Sequence, residues 1–157
     1  MSEVKFSKPT AEDILAVGGD MRESDKLEVL LSSASEPMQS LEWSVAVSRL
    51  VWVAKVDGDP FVIFGVGEST LASTTGRPWA LASTNFSKYR REFARWSRPV
   101  VSLMSQEYEH LENWVLASNI TSVRWVRSCG FTLDPAEPHG PAGALFHRFH
   151  LRGYLYV

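Results

Sequence analysis

Residues Leu50–Val66 read LVWVAKVDGDPFVIFGV, and this stretch decides the fold. Leu50–Val56 and Phe61–Val66 are apolar runs of strand length, rich in β-branched and aromatic side chains. Between them lies Asp57-Gly58-Asp59-Pro60. Asp-Gly accepts positive φ at both central positions of a tight turn, so the two runs read as an antiparallel hairpin.

Toward the C-terminus, polar Glu68–Arg77 leads into Pro78–Ala82 (PWALA), a short buried strand. A long amphipathic helix is expected from Ser87. Tyr89, Phe93, Trp96, Val100 and Leu103 recur at helical spacing and form one apolar stripe. Lys88, Arg91, Arg95 and Arg98 form a basic stripe on another face. Pro99 is expected to kink or restart this helix, because its ring removes a donor. Asn113–Ala117 predicts the next strand and Thr121–Cys129 a helix, with Asn119 or Thr121 as cap and Gly130 as stop. Phe131–Leu133 and Ala144–Leu151 predict two closing strands around DPAEPHGPAG, Asp134–Gly143, which reads as a mobile connection.

Toward the N-terminus, Val4–Lys8 is extended, and Thr10 suits a helix cap with Asp13 in the first turn. Helical character then runs intermittently from Ala11 to about Val47, broken at Gly18-Gly19 and at Pro37. The order is β-α-α-β-β-β-α-β-α-β-β. Hairpins first and a βαβ crossover later predict a mixed α/β domain over residues 1–157. Its sheet is mostly antiparallel, with six to seven strands flanked by helices.

The chain has 157 residues, 45% hydrophobic and 22% charged, as in an ordinary single globular domain. A net charge of −2 gives no global field toward nucleic acid or anionic membrane. No apolar run approaches the roughly 20 residues of a membrane helix. Cys129 is the sole cysteine, which fits a reducing compartment. MSEVKFSKPTAEDI has acidic residues and no apolar core, unlike a secretory signal. A cytoplasmic location is therefore expected.

His147 and His150 are three apart on a predicted strand and face opposite ways. With His139 and Cys129 they show no zinc spacing, so no metal is expected. The bases and aromatics between Lys88 and Arg98 hint at nucleic acid, but the aromatics fall on the apolar stripe and read as core.

Asn119–Phe131, NITSVRWVRSCGF, resembles the GNAT superfamily of acyl-coenzyme A N-acyltransferases. There an Asn after the fifth strand is followed by a helix and a Gly-Phe pair at this separation. VAKVDGDPFVIFGV is similar to the second and third GNAT strands, and Pro9–Ile14 looks like the opening of the first helix. More narrowly, the chain resembles the divergent small GNAT-like proteins of short-tailed bacteriophages (podophages). The resemblance spans roughly Lys5 to Leu151.

That resemblance implies an acetyl-coenzyme A-dependent N-acetyltransferase acting on an unidentified amine, in host cytoplasm if phage-encoded. The alternative is a catalytically silent fold used for binding a phage or host protein or for virion assembly. It implies a sheet that splays after Ala82, with the helix from near Ser87 aimed into the gap. Ser83, Thr84 and Asn85 would then pair backbone with the acyl and pantetheine groups; otherwise they are a polar loop. Glu68, ending the third strand, is the candidate general base; otherwise it is a polar strand end. Asn119 caps a helix and in the family reading also contacts the cofactor.

Two departures stand out. GNAT enzymes usually hold the pyrophosphate with a Q/R-x-x-G-x-G/A loop, whereas Asn85–Arg95 reads NFSKYRREFAR without glycine. Lys88, Arg90 and Arg91, near a helix N-terminus, are the side chains that could replace it; the alternative is a solvated helix face. Val126 stands where many GNAT enzymes carry a proton-donating Tyr.

Overall fold

The computed structural model describes residues 3–68 and 74–153; part of the polar Glu68–Arg77 stretch lies outside them. The elements are β1 (Val4–Ser7), α1 (Ala11–Gly19), α2 (Glu23–Ser33), α3 (Pro37–Val47), β2 (Ser48–Val56), β3 (Asp59–Glu68) and β4 (Thr75–Ala82). There follow α4 (Phe86–Ser105), β5 (His110–Leu116), α5 (Ile120–Ser128), β6 (Thr132–Leu133), β7 (Glu137–Pro138) and β8 (Leu145–Arg152).

The hairpin forms as its turn demands. β2 and β3 pair from Ser48↔Gly67 to Val56↔Asp59, and Asp57 and Gly58 take φ of 50° and 80°. Around it the strands order β1-β2-β3-β4-β5-β8-β6, with β7 also on β8. Every pairing is antiparallel except β4 with β5. The strand count exceeds expectation because Glu137–Pro138, inside the Pro/Gly loop, adds a two-residue strand to β8.

The N-terminal segment makes three helices where two were expected. Thr10 caps α1 reciprocally with Asp13: Asp13 N–H donates to the Thr10 hydroxyl at 3.2 Å and Thr10 N–H to the Asp13 carboxylate at 2.9 Å. Gly18-Gly19 ends that helix, and Pro37 opens α3 at its first turn, where a missing N–H costs nothing.

The sheet is buried on both faces. Ala54, Val56, Phe64 and Val66 face α4 and α5 through Phe93, Val101, Met104, Val123 and Val126. Val53, Ile63 and Leu81 face α1 and α3 through Val17 and Leu41. Pro99 does not restart α4, which is a single element to Ser105. Phe93 on one side of the proline and Val101 and Met104 on the other are all buried, and that packing offsets one lost ladder bond. The buried line of α4 is Phe93, Ser97, Val101 and Met104, rotated from the expected stripe. Trp96 and Leu103 stay 44% and 50% exposed, and Trp96 meets Phe6 edge-on with ring centroids 5.7 Å apart.

One departure from a regular sheet positions everything that follows. β4 and β5 pair only at Thr75↔His110 and Gly76↔Leu111. The split therefore opens from Arg77, not after Ala82 as expected. Pro78 has no N–H to continue the ladder, and from there the strands part. α4 begins beside this gap, with Phe86, Arg90, Arg91 and Phe93 among the side chains lining it.

Candidate functional site

The gap between β4 and β5 is a cavity of about 700 Å³. α2 bounds it on one face of the sheet; α4 and α5 bound it on the other.

The register fixes which backbone groups look into it. Ser83 N–H donates to Phe61 O at 3.0 Å, so odd-numbered residues of β4 spend their amides on β3. With a period of two, Ala80 and Ala82 turn their N–H groups toward the gap, and Pro78 its carbonyl. Ala82 N–H donates to the Asp25 carboxylate at 2.8 Å, and Ala82 O accepts from Arg22 N–H at 2.9 Å. Pro78 O accepts from Asn113 Nδ2 at 2.9 Å. On the β5 lip, Trp114 N–H donates to Asn113 Oδ1 at 2.8 Å and Leu116 N–H to Glu28 Oε1 at 2.6 Å. The N–H of Ala80 points the same way by register, and among the described residues no side chain accepts from it.

Asp25 and Glu28 lie three apart on α2, hence on one helical face, and each reaches a different lip of the split. Asp25 is 2% exposed and also accepts from Arg22, at 2.8 and 3.2 Å. Burial pushes the Glu28 carboxyl up to about 7, against the pull of Leu116 N–H, and the neighbouring Asp25 charge adds to the rise. The connector before α2 runs alongside the end of β4 and makes one isolated bridge there. Met21 bridges Ser83, and Thr84 N–H donates to Asp20 O at 2.9 Å.

The opposite face is cationic. Arg90 and Arg91 of α4 and Arg124 of α5 line the cavity and form no ion pair among the described residues. The α4 N-terminus keeps its amides for the chain itself: Asn85 N–H donates to Ser83 Oγ, Phe86 N–H to Ser83 O and Lys88 N–H to Asn85 O, at 3.0–3.2 Å. No nest of free N–H groups replaces the glycine loop there.

Of the residues singled out in the sequence, Arg90 and Arg91 line the cavity. Lys88 is not among its lining side chains. Ser83 holds the α4 start, Thr84 donates its hydroxyl to Asp20 at 2.5 Å, and Asn85 donates to Asp59 at 3.3 Å. Asn119 caps α5 through Ser122 N–H at 3.4 Å. Its Nδ2 is buried without a hydrogen-bond partner, close enough to the Glu28 carboxylate to favour the ionised form. Glu68 sits beside Gly76, where β4 and β5 still pair, and bonds Arg49 at 3.4 Å. It does not line the cavity, because β3 ends at the closed end of the split.

Glu28, Asp25 and Arg124 went unnoticed in the sequence. So did the lid on the α2 face. His139 of the Pro/Gly loop stacks on Trp114 with centroids 3.9 Å apart and an 11° interplanar angle. Gly140, at φ 82°, lies against the Leu31 carbonyl of α2 too closely for any side chain. The connection expected to be mobile is thus docked. Burial, then Arg77, lowers the His139 pKa, which keeps the ring neutral for stacking.

No protein-family model matches the chain, and no curated protein matches it. Solved structures do. The ribosomal-protein-S18-alanine N-acetyltransferase from Escherichia coli superposes with a TM-score of 0.66 at 12% identity, covering 95% of this chain and 93% of that one. A GNAT-family acetyltransferase from Streptococcus pneumoniae gives 0.65 at 11%, covering 96% and 99%. A Bacillus subtilis acetyltransferase in complex with CoA gives 0.62 at 9%, covering 97% and 99%. The split sheet, its flanking helices and these superpositions agree: the chain has the fold of the GNAT acetyltransferases.

Proposed function

We propose that the chain is an acyl-coenzyme A-dependent N-acyltransferase, with acetyl-coenzyme A as donor, working in the gap between β4 and β5. One observation carries this reading: the sheet opens at Arg77 and leaves the Ala80 edge of β4 facing a cavity of about 700 Å³. When bound, the donor supplies an acyl group already activated as a thioester. The Ala80 N–H polarises a carbonyl oxygen set against it, and that bond strengthens as charge builds on the oxygen. Arg90, Arg91 and Arg124 offer forks for phosphate on the α4/α5 face. They take over from the helix N-terminal amides that Ser83 and Asn85 already occupy. The acceptor amine enters from the α2 face, past Trp114 and His139.

A second reading, a silent fold for binding or for virion assembly in a phage, is favoured by a different observation. The connector before α2 and Asp25 already hold the gap-facing groups of Ala82 and Thr84, and Val126 has no proton for a leaving thiolate. Calorimetric titration with acetyl-coenzyme A separates the two. The first reading expects saturable heat and a rise in melting temperature with ligand. No heat and no rise at millimolar ligand would leave the second.

A further inference from the structure

We infer that α2 is an internal occupant of the donor slot, holding the Ala82 and Leu116 N–H groups until an amide-bearing donor arm displaces it. The inference rests on the acyl-coenzyme A reading above and deepens it.

The two lips of the split carry N–H donors, and one helix answers both: Asp25 on Ala82 at 2.8 Å, Glu28 on Leu116 at 2.6 Å. A pantetheine arm contains two amide groups, whose carbonyl oxygens seek the same kind of donor. One N–H serves one strong acceptor, so carboxylate and carbonyl exclude each other at each lip. The connector adds Arg22 N–H on Ala82 O and Asp20 O on Thr84 N–H, a backbone pairing of the kind an extended ligand makes with a strand edge.

The helix that does this is lightly anchored. α2 buries only Asp25 and Val29, while Leu27 and Leu30 remain 45% and 55% exposed. Its C-terminal cap, Ala34, sits at φ 55°, a left-handed conformation in which the Cβ crowds the following carbonyl oxygen. The Gly140 contact with Leu31 holds the far end of the helix. Elements with few buried apolar contacts open at low free energy. The arginine-lined face meanwhile is open to ligand without any such movement. Phosphate contacts therefore form first, and withdrawal of the first turns of α2 then lets the arm reach the lips.

The test compares wild type, Glu28→Ala and Glu28→Gln by calorimetric titration with acetyl-coenzyme A. Hydrogen exchange of the Leu116 and α2 amides, with and without ligand, is the second readout. Glu28→Ala frees the Leu116 N–H and spares the Asp25–Arg22 pair, so it keeps the better-buried half of the clasp. Glu28→Gln removes the charge and keeps an acceptor oxygen. The expected result is binding about tenfold tighter in Glu28→Ala, close to wild type in Glu28→Gln, and faster α2 exchange when wild type binds ligand. Equal tightening in both variants would assign the effect to charge alone and overturn the occupant role. Wild-type binding as tight as Glu28→Ala would overturn it too, with the acyl-coenzyme A reading intact. If none of the three binds, that reading falls and takes this inference with it.

Discussion

Asn113 Nδ2 donates to Pro78 O at 2.9 Å, a side-chain bond from β5 to β4 beyond the point where their backbones last pair. The same side chain accepts Trp114 N–H through Oδ1 at 2.8 Å, so one asparagine closes the ladder on both lips. A proline carbonyl has no companion N–H with which to make a normal ladder step, and the amide side chain substitutes for it. Asn113→Ala should cost about 1–2 kcal/mol, read as a lower midpoint in urea with an unchanged m-value. A loss within a few tenths would mean that water serves both backbone groups equally well.

Ala80 and Ala82 are neighbours on the same edge with different fates. Ala82 N–H is held by a buried carboxylate, whereas the Ala80 N–H faces the cavity. Amide exchange followed by NMR in ligand-free protein should find Ala80 much faster than Leu81, which pairs with Ile63, and than Ala82. Acetyl-coenzyme A should then slow Ala80. If Ala80 is already protected without ligand, another group occupies the position assigned to the thioester oxygen.

Asp57-Gly58 declared the hairpin from two residues, since few other pairs supply two positive φ angles in sequence. Asn119 and Gly130 declared α5 in the same way, by cap and stop, and Gly130 does take φ 99°. Those signals are local, and local chemistry survives into the fold. The split is different. Pro78 reads as part of a strand, but that its carbonyl faces a gap depends on the register with β3. Asp25 and Glu28 answer backbone groups 57 and 88 residues away, and nothing on α2 announces such partners. Glu68 ends β3, as its place after the apolar run dictates, yet which end of the split it occupies is set by pairing, and Arg49 meets it there.

Arg90, Arg91 and Arg124 converge from two helices on one face of the cavity. A guanidinium bonded to phosphate contributes about 1.5–3 kcal/mol. Each Arg→Ala change should weaken acetyl-coenzyme A binding by about ten- to a hundredfold, with little change in melting temperature, because all three side chains are exposed. Binding should also weaken as salt is raised. Three variants that bind like wild type would show that the phosphates lie elsewhere.

Glu28 gives the fold a pH dependence with a definite sign. Its native carboxyl titrates at about 7, against 4.5 for the ordinary group, so the folded state binds this proton more tightly than the unfolded one. Below the unfolded value both states are protonated and the site costs nothing. Between the two values the unfolded state releases its proton first, and stability falls as pH rises; above 7 the loss is complete, at most about 3 kcal/mol. Glu28→Gln has no proton to exchange there and keeps an oxygen for the Leu116 N–H. The variant should therefore gain on wild type as pH rises from 4.5 to 7, with the difference constant above 7. Urea denaturation of both chains at pH 5, 6, 7 and 8 measures that difference directly, and other titrating groups cancel in it. A difference equal at pH 5 and pH 8 would return the Glu28 carboxyl to its ordinary range and remove burial as the dominant force on it.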